Sequence, residues 1–261
     1  MRIAVVGASG VVGRNFVPLA VAAGHALVVR RTDIFDEDAL SALVAGCDAV
    51  VNLATSIPKA GGRGDWAVND RIRREGTARL IAACSAAGTR ILIQQSVAML
   101  HCVADDRPQT EADALEGYGV LVSAMDMETL VRAAPLDGRL LRGGLFYGPG
   151  TGREEIWREE VGNPAFRIPG DGNAWLSPLH VQDYASALIR VLEHGHPREA
   201  YIACDDRPLR LREHYAGVAA LAGASPPATG GVQRMRSFRV SNARLRALGW
   251  APAHPKLQLD A

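Results

Sequence analysis

Hydrophobic positions come in blocks whose period changes along the chain. Residues 2–6, RIAVV, are an almost unbroken β-branched run that stops at Gly7, the pattern of a strand covered on both faces. RNFVPLAVAAG, residues 14–24, changes to helical spacing and ends on a glycine. ALVV (26–29) and the apolar part of GCDAVVNLATS (46–56) read as further buried strands. No internal repeat, low-complexity tract or apolar run of membrane-spanning length interrupts the pattern. The opening MRIAVVGASG enters a strand at once and is too short and glycine-rich for a signal peptide.

The turn between the first strand and first helix, GASGVVG, spaces Gly7, Gly10 and Gly13 three apart. Strand, glycine loop and helix in that order are the setting in which such spacing signals a phosphate cradle. Gly7 permits a tight turn, Gly10 lets a pyrophosphate approach the backbone, and Gly13 allows helix to pack on strand. The amides of Ser9, Val11 and Val12, with the partial positive charge of the helix N-terminus, would face the phosphates. A ligand-free glycine turn is the plainer reading. Arg30 and Arg31 stand at the end of the second strand, where a dinucleotide-binding unit meets the adenosine ribose. An acid there favours a free 2′-OH; arginine suits a 2′-phosphate. The pair therefore leans toward NADP over NAD, for a cofactor that is working, vestigial or structural, unless both are solvated surface arginines. Asn52 to Thr55, with Leu53 and Ala54 between, should edge the same crevice.

Length and charge narrow the rest. The 261 residues suffice for one large α/β domain, with or without a small appendage. The chain is 48% hydrophobic and 22% charged, an ordinary globular mix. A formal net charge of +1 gives no electrostatic case for nucleic acid or for an anionic membrane. Of 29 basic residues only Lys59 and Lys256 are lysine, and arginine is a poor proton shuttle near neutral pH. Cys47, Cys84, Cys102 and Cys204 show no metal-like spacing. They read as small buried hydrophobes in a reducing cytoplasm, and no metal site is expected.

Six segments in order resemble the extended short-chain dehydrogenase/reductase superfamily, in its NAD-dependent epimerase/dehydratase group. GASGVVG is similar to its G-x-x-G-x-x-G. TDIFDEDAL (32–40) resembles its acidic segment, which implies that Asp33 bonds adenine and Ile34 lines its ring. AVNDRIRREGTARLIAACSAAGTRILIQQS (67–96) resembles the helix and strand that lead to a catalytic serine or threonine. LRGGLFYGPG (141–150) resembles R-P-x-x-x-Y-G-P, LSPLHVQDYASALIRVLE (176–193) a returning helix, and SNARLRALGWAP (241–252) the usual C-terminal stretch. The resemblance implies an α/β, Rossmann-type, doubly wound, mostly parallel sheet with a small C-terminal substrate-covering portion. Residues 1–145 would form the dinucleotide-binding domain and 146–261 mainly the substrate portion, the chain returning to the sheet at about 177–203. The stretch from Gly24 to Asp33 is short, as in the dTDP-4-dehydrorhamnose reductase branch, and one helix and one strand of the adenosine half are expected to be missing. Gly143 stands where the family has proline.

Redox members of that family use a tyrosine proton donor with a lysine four residues on, one helical turn away on the same face. This chain has five tyrosines, 118, 147, 184, 201 and 215, and none has lysine at the fourth position after it. Aligning Glu128 with the family's glutamate puts Val120 and Ala124 in the pair's places, both facing the pocket, with Tyr118 half a turn earlier. Ser96 aligns with the substrate-binding hydroxyl, though it could be an ordinary strand-end serine. His101 is expected on the loop above that strand, as a substitute acid or base or as a plain surface histidine. Tyr147 is expected at the pocket wall. Asp126 and Glu128 suit ion pairs or caps better than catalysis. Trp157, Trp175 and Met235 hint at an apolar lid. His180 and Asp183 are assigned no chemistry.

The leading expectation is a small-molecule enzyme that has dropped hydride transfer for a cyclisation, isomerisation or elimination in specialised metabolism. The alternatives are an NAD(P)H-dependent reductase or epimerase with a substitute donor, and a non-catalytic dinucleotide sensor or partner protein. A small-molecule substrate is expected, with no nucleic acid or membrane partner; a homodimer is left open.

Overall fold

A computed structural model describes residues 1–58, 65–102 and 106–257. At its centre is a six-stranded sheet in the order β10-β5-β4-β3-β1-β2, and every pairing in it is parallel. Its strands are β1 (Arg2–Val6), β2 (Ala26–Val28), β3 (Ala49–Asn52), β4 (Ile91–Val97), β5 (Asp137–Gly143) and β10 (Ala200–Ala203). Alternation along β1 divides the core. Ile3 and Val5 face one layer and Ala4 and Val6 the other.

The first layer is α1 (Val11–Ala22) packed on α7 (Val181–His194), with Phe16, Ala20, Leu188 and Val191 against the sheet. The second contains α2 (Glu37–Val44) and α4 (Thr77–Ala87), which contribute Leu40, Leu43, Leu80 and Cys84. α5 (Val122–Ala133) joins it through Val131. Asp36 caps α2 by accepting the Ala39 amide at 3.0 Å. α1 begins inside the glycine loop, one turn earlier than its apolar spacing indicates. Beyond β1 the sheet ends at the three-residue β2.

Between β3 and α4 lie α3 (Ala67–Arg71) and a five-residue π-helical turn, Ile72–Gly76, in which Arg73 and Gly76 are buried. Ile34 lies across Gly76, where a side-chain carbon would come within 2.9 Å of it. After β5 the chain forms β6 (Leu145–Tyr147), α6 (Arg153–Gly162), β7 (Ile168–Pro169), β8 (Trp175–Leu176) and β9 (Pro178–His180). It then runs through α7 and β10 to β11 (Leu209–Arg210), α8 (Leu211–Leu221), β12 (Thr229–Gly231) and α9 (Ala243–Ala247). β6 pairs with β9. Trp157, Val161, Ile168, Tyr215 and Phe238 form a separate core under this region.

Trp157 belongs to that core rather than to a lid, and Met235 packs against it. Trp175 is stacked between Arg210 and Arg239, 3.9 and 4.3 Å from its ring centre. None of the three lines the cleft described next. No helix of the described residues is long and apolar enough to cross a membrane.

Candidate active site

The strand order reverses between β1 and β3, and the loops leaving their carboxyl ends open a crevice there. Gly7 has φ +78°, and a side-chain carbon on it would lie 2.7 Å from the Leu53 carbonyl. One on Gly13 would lie 2.4 Å from the Ala8 oxygen, while one on Gly10 would meet only the Gly7 oxygen at 3.2 Å. The loop is thus closed against the protein and open at its mouth. Gly10 caps α1 without a side-chain bond, and the first turn holds no acid, so among the described residues no cap side chain competes for the first-turn amides. These residues fit a dinucleotide pyrophosphate.

Ser9 is exposed, Val11 half-buried and Val12 buried in the first core layer. Arg30 and Arg31 are exposed past β2. Asp33 accepts the Phe35 amide at 2.9 Å, and Ile34 is a buried member of the second core layer. Leu53 is buried, Ala54 half-buried and Thr55 exposed at the crevice edge.

Farther along the same edge is a cleft of about 110 Å³ that opens to solvent. Ala54, Thr55 and Ile57 border it from the loop after β3, and Gln94 to Val97 form its floor. Met99, Met127, Leu145 and Phe146 supply apolar wall, and Arg73 and Arg153 stand at its sides. The lining contains no aspartate or glutamate among the described residues.

Ser96 lines the cleft, and its hydroxyl donates to Glu128 Oε1 at 2.6 Å. Arg142 grips the same carboxylate with two bonds, 2.9 and 2.6 Å. Burial opposes the Glu128 charge, but Arg142 outweighs it and holds the carboxyl below its ordinary range. Arg142 Nη1 also lies 3.1 Å from His101 Nε2. His101 is therefore no surface histidine: it is 0% exposed, and burial, with Arg142 beside it, lowers its pKa to about 4. It stays neutral at pH 7, lies behind the cleft wall, and is not poised for acid–base work there.

The other expected tyrosines lie elsewhere too. Tyr147 does not line this cleft. Side chains alternate along β6, so Phe146 faces the cleft and Tyr147 turns away, donating to Asp205 Oδ2 at 2.9 Å. Burial, then the Asp205 charge, raises its phenol well above the ordinary range. Gly143, the departure from the family's proline, leaves room for Phe146: a side-chain carbon there would lie 2.7 Å from that ring. Tyr118 is half-buried, accepts the Arg236 amide at 3.1 Å and carries the Arg236 guanidinium 4.6 Å above its ring. It clamps the C-terminal region.

Val120 and Ala124 do not face the cleft either. Val120 is 37% exposed, and Ala124 packs with Leu100 and Leu121. The side chain that α5 presents to the cleft is Met127. Asp126 pairs with Arg74 at 2.7 Å.

Arg73 and Arg153 are the charged cleft residues that sequence reading missed. Arg73 donates from Nη1 to the Val120 carbonyl at 2.9 Å and to Ser123 Oγ at 3.1 Å, and Ser123 donates to Asp70 at 2.6 Å. Burial lowers the pKa of both arginines. The one available signal was the near-total use of arginine for basic residues, which does not say which ones face inward.

Outside the cleft, His180, Asp183 and His254 bring three potential metal-ligating side chains together. Both Asp183 oxygens are already occupied, by the Ala253 amide at 2.9 Å and by the His254 amide and ring at 2.8 and 3.1 Å. This arrangement latches the C-terminal segment to α7.

The chain is similar to the 3-diazoavenalumate denitrifying reductase of a Streptomyces species, 31% identical over 301 residues, covering 98% of this chain and 97% of that one. It is also similar to dTDP-4-dehydrorhamnose reductase of Mycolicibacterium smegmatis (strain ATCC 700084 / mc(2)155), 29% identical over 74% of this chain and 61% of the relative. Among solved structures, RMD from Pseudomonas aeruginosa complexed with NADPH superposes with TM-score 0.78 at 28% identity, over 96% and 93% of the two chains. The dTDP-glucose 4,6-dehydratase DesIV from Streptomyces venezuelae, with NAD and TYD bound, shares the fold at TM-score 0.83 and 20% identity, over 97% and 92%. The model of the NAD dependent epimerase/dehydratase family matches residues 3–204, and the chain belongs to that family.

Proposed function

We propose that this protein is an NAD(P)H-dependent reductase of a small molecule whose reduction expels a neutral leaving group and needs no acid from the protein. The observation that carries this reading is a dinucleotide cradle beside a cleft whose described residues include no free proton donor of the family's kind. The Ser96 proton is engaged by Glu128, His101 and Tyr147 are buried elsewhere, and among the described residues the cations lining the cleft are arginines. Reducing a carbonyl leaves an alkoxide that must be protonated. A diazonium carbon makes no such demand. The hydride pair forms the new C–H bond, the C–N pair departs with dinitrogen, and the charges cancel. The full-length similarity to an enzyme named for denitrifying a diazo compound supports this class.

A bound nicotinamide dinucleotide supplies the hydride; the chain binds, orients and excludes water. Gly7, Gly10 and Gly13 with the start of α1 would receive the pyrophosphate. Arg30 and Arg31 suit a 2′-phosphate, and the similarity to an NADPH complex leans the same way. Ser96, with its proton committed, offers the ligand only lone pairs. Met99, Met127, Leu145 and Phe146 keep the cleft dry around a flat apolar body.

The test is to mix the full-length protein with NADPH and 4-carboxybenzenediazonium and follow cofactor absorbance and gas release. With NADPH deuterated at the transferred position, benzoate should carry the label at the carbon that lost nitrogen, and NADPH should outperform NADH. A second reading, a non-redox cyclisation, isomerisation or elimination, draws on the same absence of a Tyr-x-x-x-Lys pair. Turnover of an identified substrate with the nicotinamide unchanged would establish it and sink the reductase.

A further inference from the structure

We infer that Arg153 is the anchor for a substrate carboxylate, and that the cleft takes a monocarboxylate carried on a flat apolar body. Arg153 is the first residue of α6 and its side chain lines the cleft. It is half-buried, yet its guanidinium has no hydrogen bond or ion pair among the described residues. An arginine so placed has given up part of the water around a permanent charge without a direct partner among the described residues.

The nearest acids are otherwise engaged. Glu154 accepts the Gly148 amide at 2.6 Å and the Thr151 hydroxyl at 3.2 Å, and Glu160 accepts the Tyr215 hydroxyl at 2.8 Å. Both stabilise the Arg153 charge at longer range, while burial, the larger influence, lowers its pKa. Arg73 differs, because its guanidinium is tied to the start of α5 and linked through Ser123 to Asp70. Among the described residues Arg153 is thus the cleft cation without a direct hydrogen-bond or ion-pair partner. A planar guanidinium presents paired donors that match a carboxylate.

The rest of the wall limits what the carboxylate is attached to. Ile57, Val97, Met99, Met127, Leu145 and Phe146 offer apolar surface. That surface suits an aryl or polyene body, while Gln95 Oε1 and Ser96 on the floor leave acceptors for a polar substituent on it.

This names the substrate class for the reductase proposed above and rests on that reading for its role in turnover, but binding can be measured without turnover. Calorimetric titration of the full chain in the presence of NADP would compare trans-cinnamate, its neutral amide and thymidine diphosphate. Cinnamate should bind about 10–100-fold more tightly than cinnamamide, the difference made by one charge-assisted bidentate contact. Arg153→Gln should erase that preference, and Arg153→Lys should restore part of it, because a point charge replaces the fork. Thermal unfolding of each variant identifies any loss of fold, and the acid-versus-amide comparison on the unaltered protein stands without them. Equal binding of acid and amide, no binding of either, or an acid preference that survives in Arg153→Gln overturns the assignment. So does thymidine diphosphate binding that depends on Arg153 and displaces cinnamate. A failure of diazonium reduction with the acid preference intact would sink the reductase and leave the carboxylate anchor standing.

Discussion

At the scale of single residues, the network Ser96–Glu128–Arg142–His101 shows how burial converts candidate chemistry into structure. His101 is neutral because a second cation beside Arg142 would be costly in a buried site. Its folded pKa of about 4 lies below the ordinary 6.5, so the unfolded chain binds more protons between those values. This contribution is fully present above pH 6.5 and is lost as pH falls toward 4. His214, also lowered to about 4 by burial, adds a loss of the same sign. Asp205, raised to about 7 by burial, slopes the other way. Replacing His101 with glutamine, whose carbonyl can still accept from Arg142, isolates the first effect. Urea unfolding at pH 7 and pH 4.5 should show the wild type losing up to about 3 kcal/mol more than His101→Gln over that interval. Equal losses would mean that His101 is not buried as a neutral ring.

At the scale of elements, the glycine loop and β6 make opposite points about reading a sequence. Gly7, Gly10 and Gly13 could be assigned from spacing because strand, turn and helix are local, and the clash a side chain would cause is set within a few residues. Gly13→Ala would put a carbon 2.4 Å from the Ala8 oxygen and push α1 off the loop. NADPH affinity should fall at least about 10-fold, read by fluorescence titration, and the melting temperature should drop. Unchanged binding would remove the loop from the cofactor site. In β6 the motif LRGGLFYGPG was legible, but which of its neighbouring aromatics enters the cleft was not. That choice depends on β6 pairing with β9 in the register Tyr147↔His180, between segments far apart in the chain. Phe146 took the cleft and Tyr147 went to Asp205.

For the whole molecule, the C-terminal segment closes the fold by returning to α7. Asp183 holds the Ala253 and His254 amides at 2.9 and 2.8 Å, buried at 2% exposure. Asp183→Ala should loosen residues 250–257, raising their amide hydrogen exchange while that of β1 and β4 is unchanged. Exchange no faster than in the wild type would show that other contacts hold the segment.

The parallel α/β sheet and the family could be read from sequence alone, because strand and helix periodicities and a glycine turn are short-range properties repeated in a fixed order. So could the lack of any tyrosine with lysine one turn on. Only the tertiary structure decided what occupies the cleft. It drew Arg73 and Arg153 from distant segments to one cleft whose described lining holds no acid, hid His101 and Tyr147, and tied the Ser96 proton to Glu128. Those outcomes depend on long-range packing, where the cost of burying a charge, rather than local pattern, determines which side chain meets a ligand.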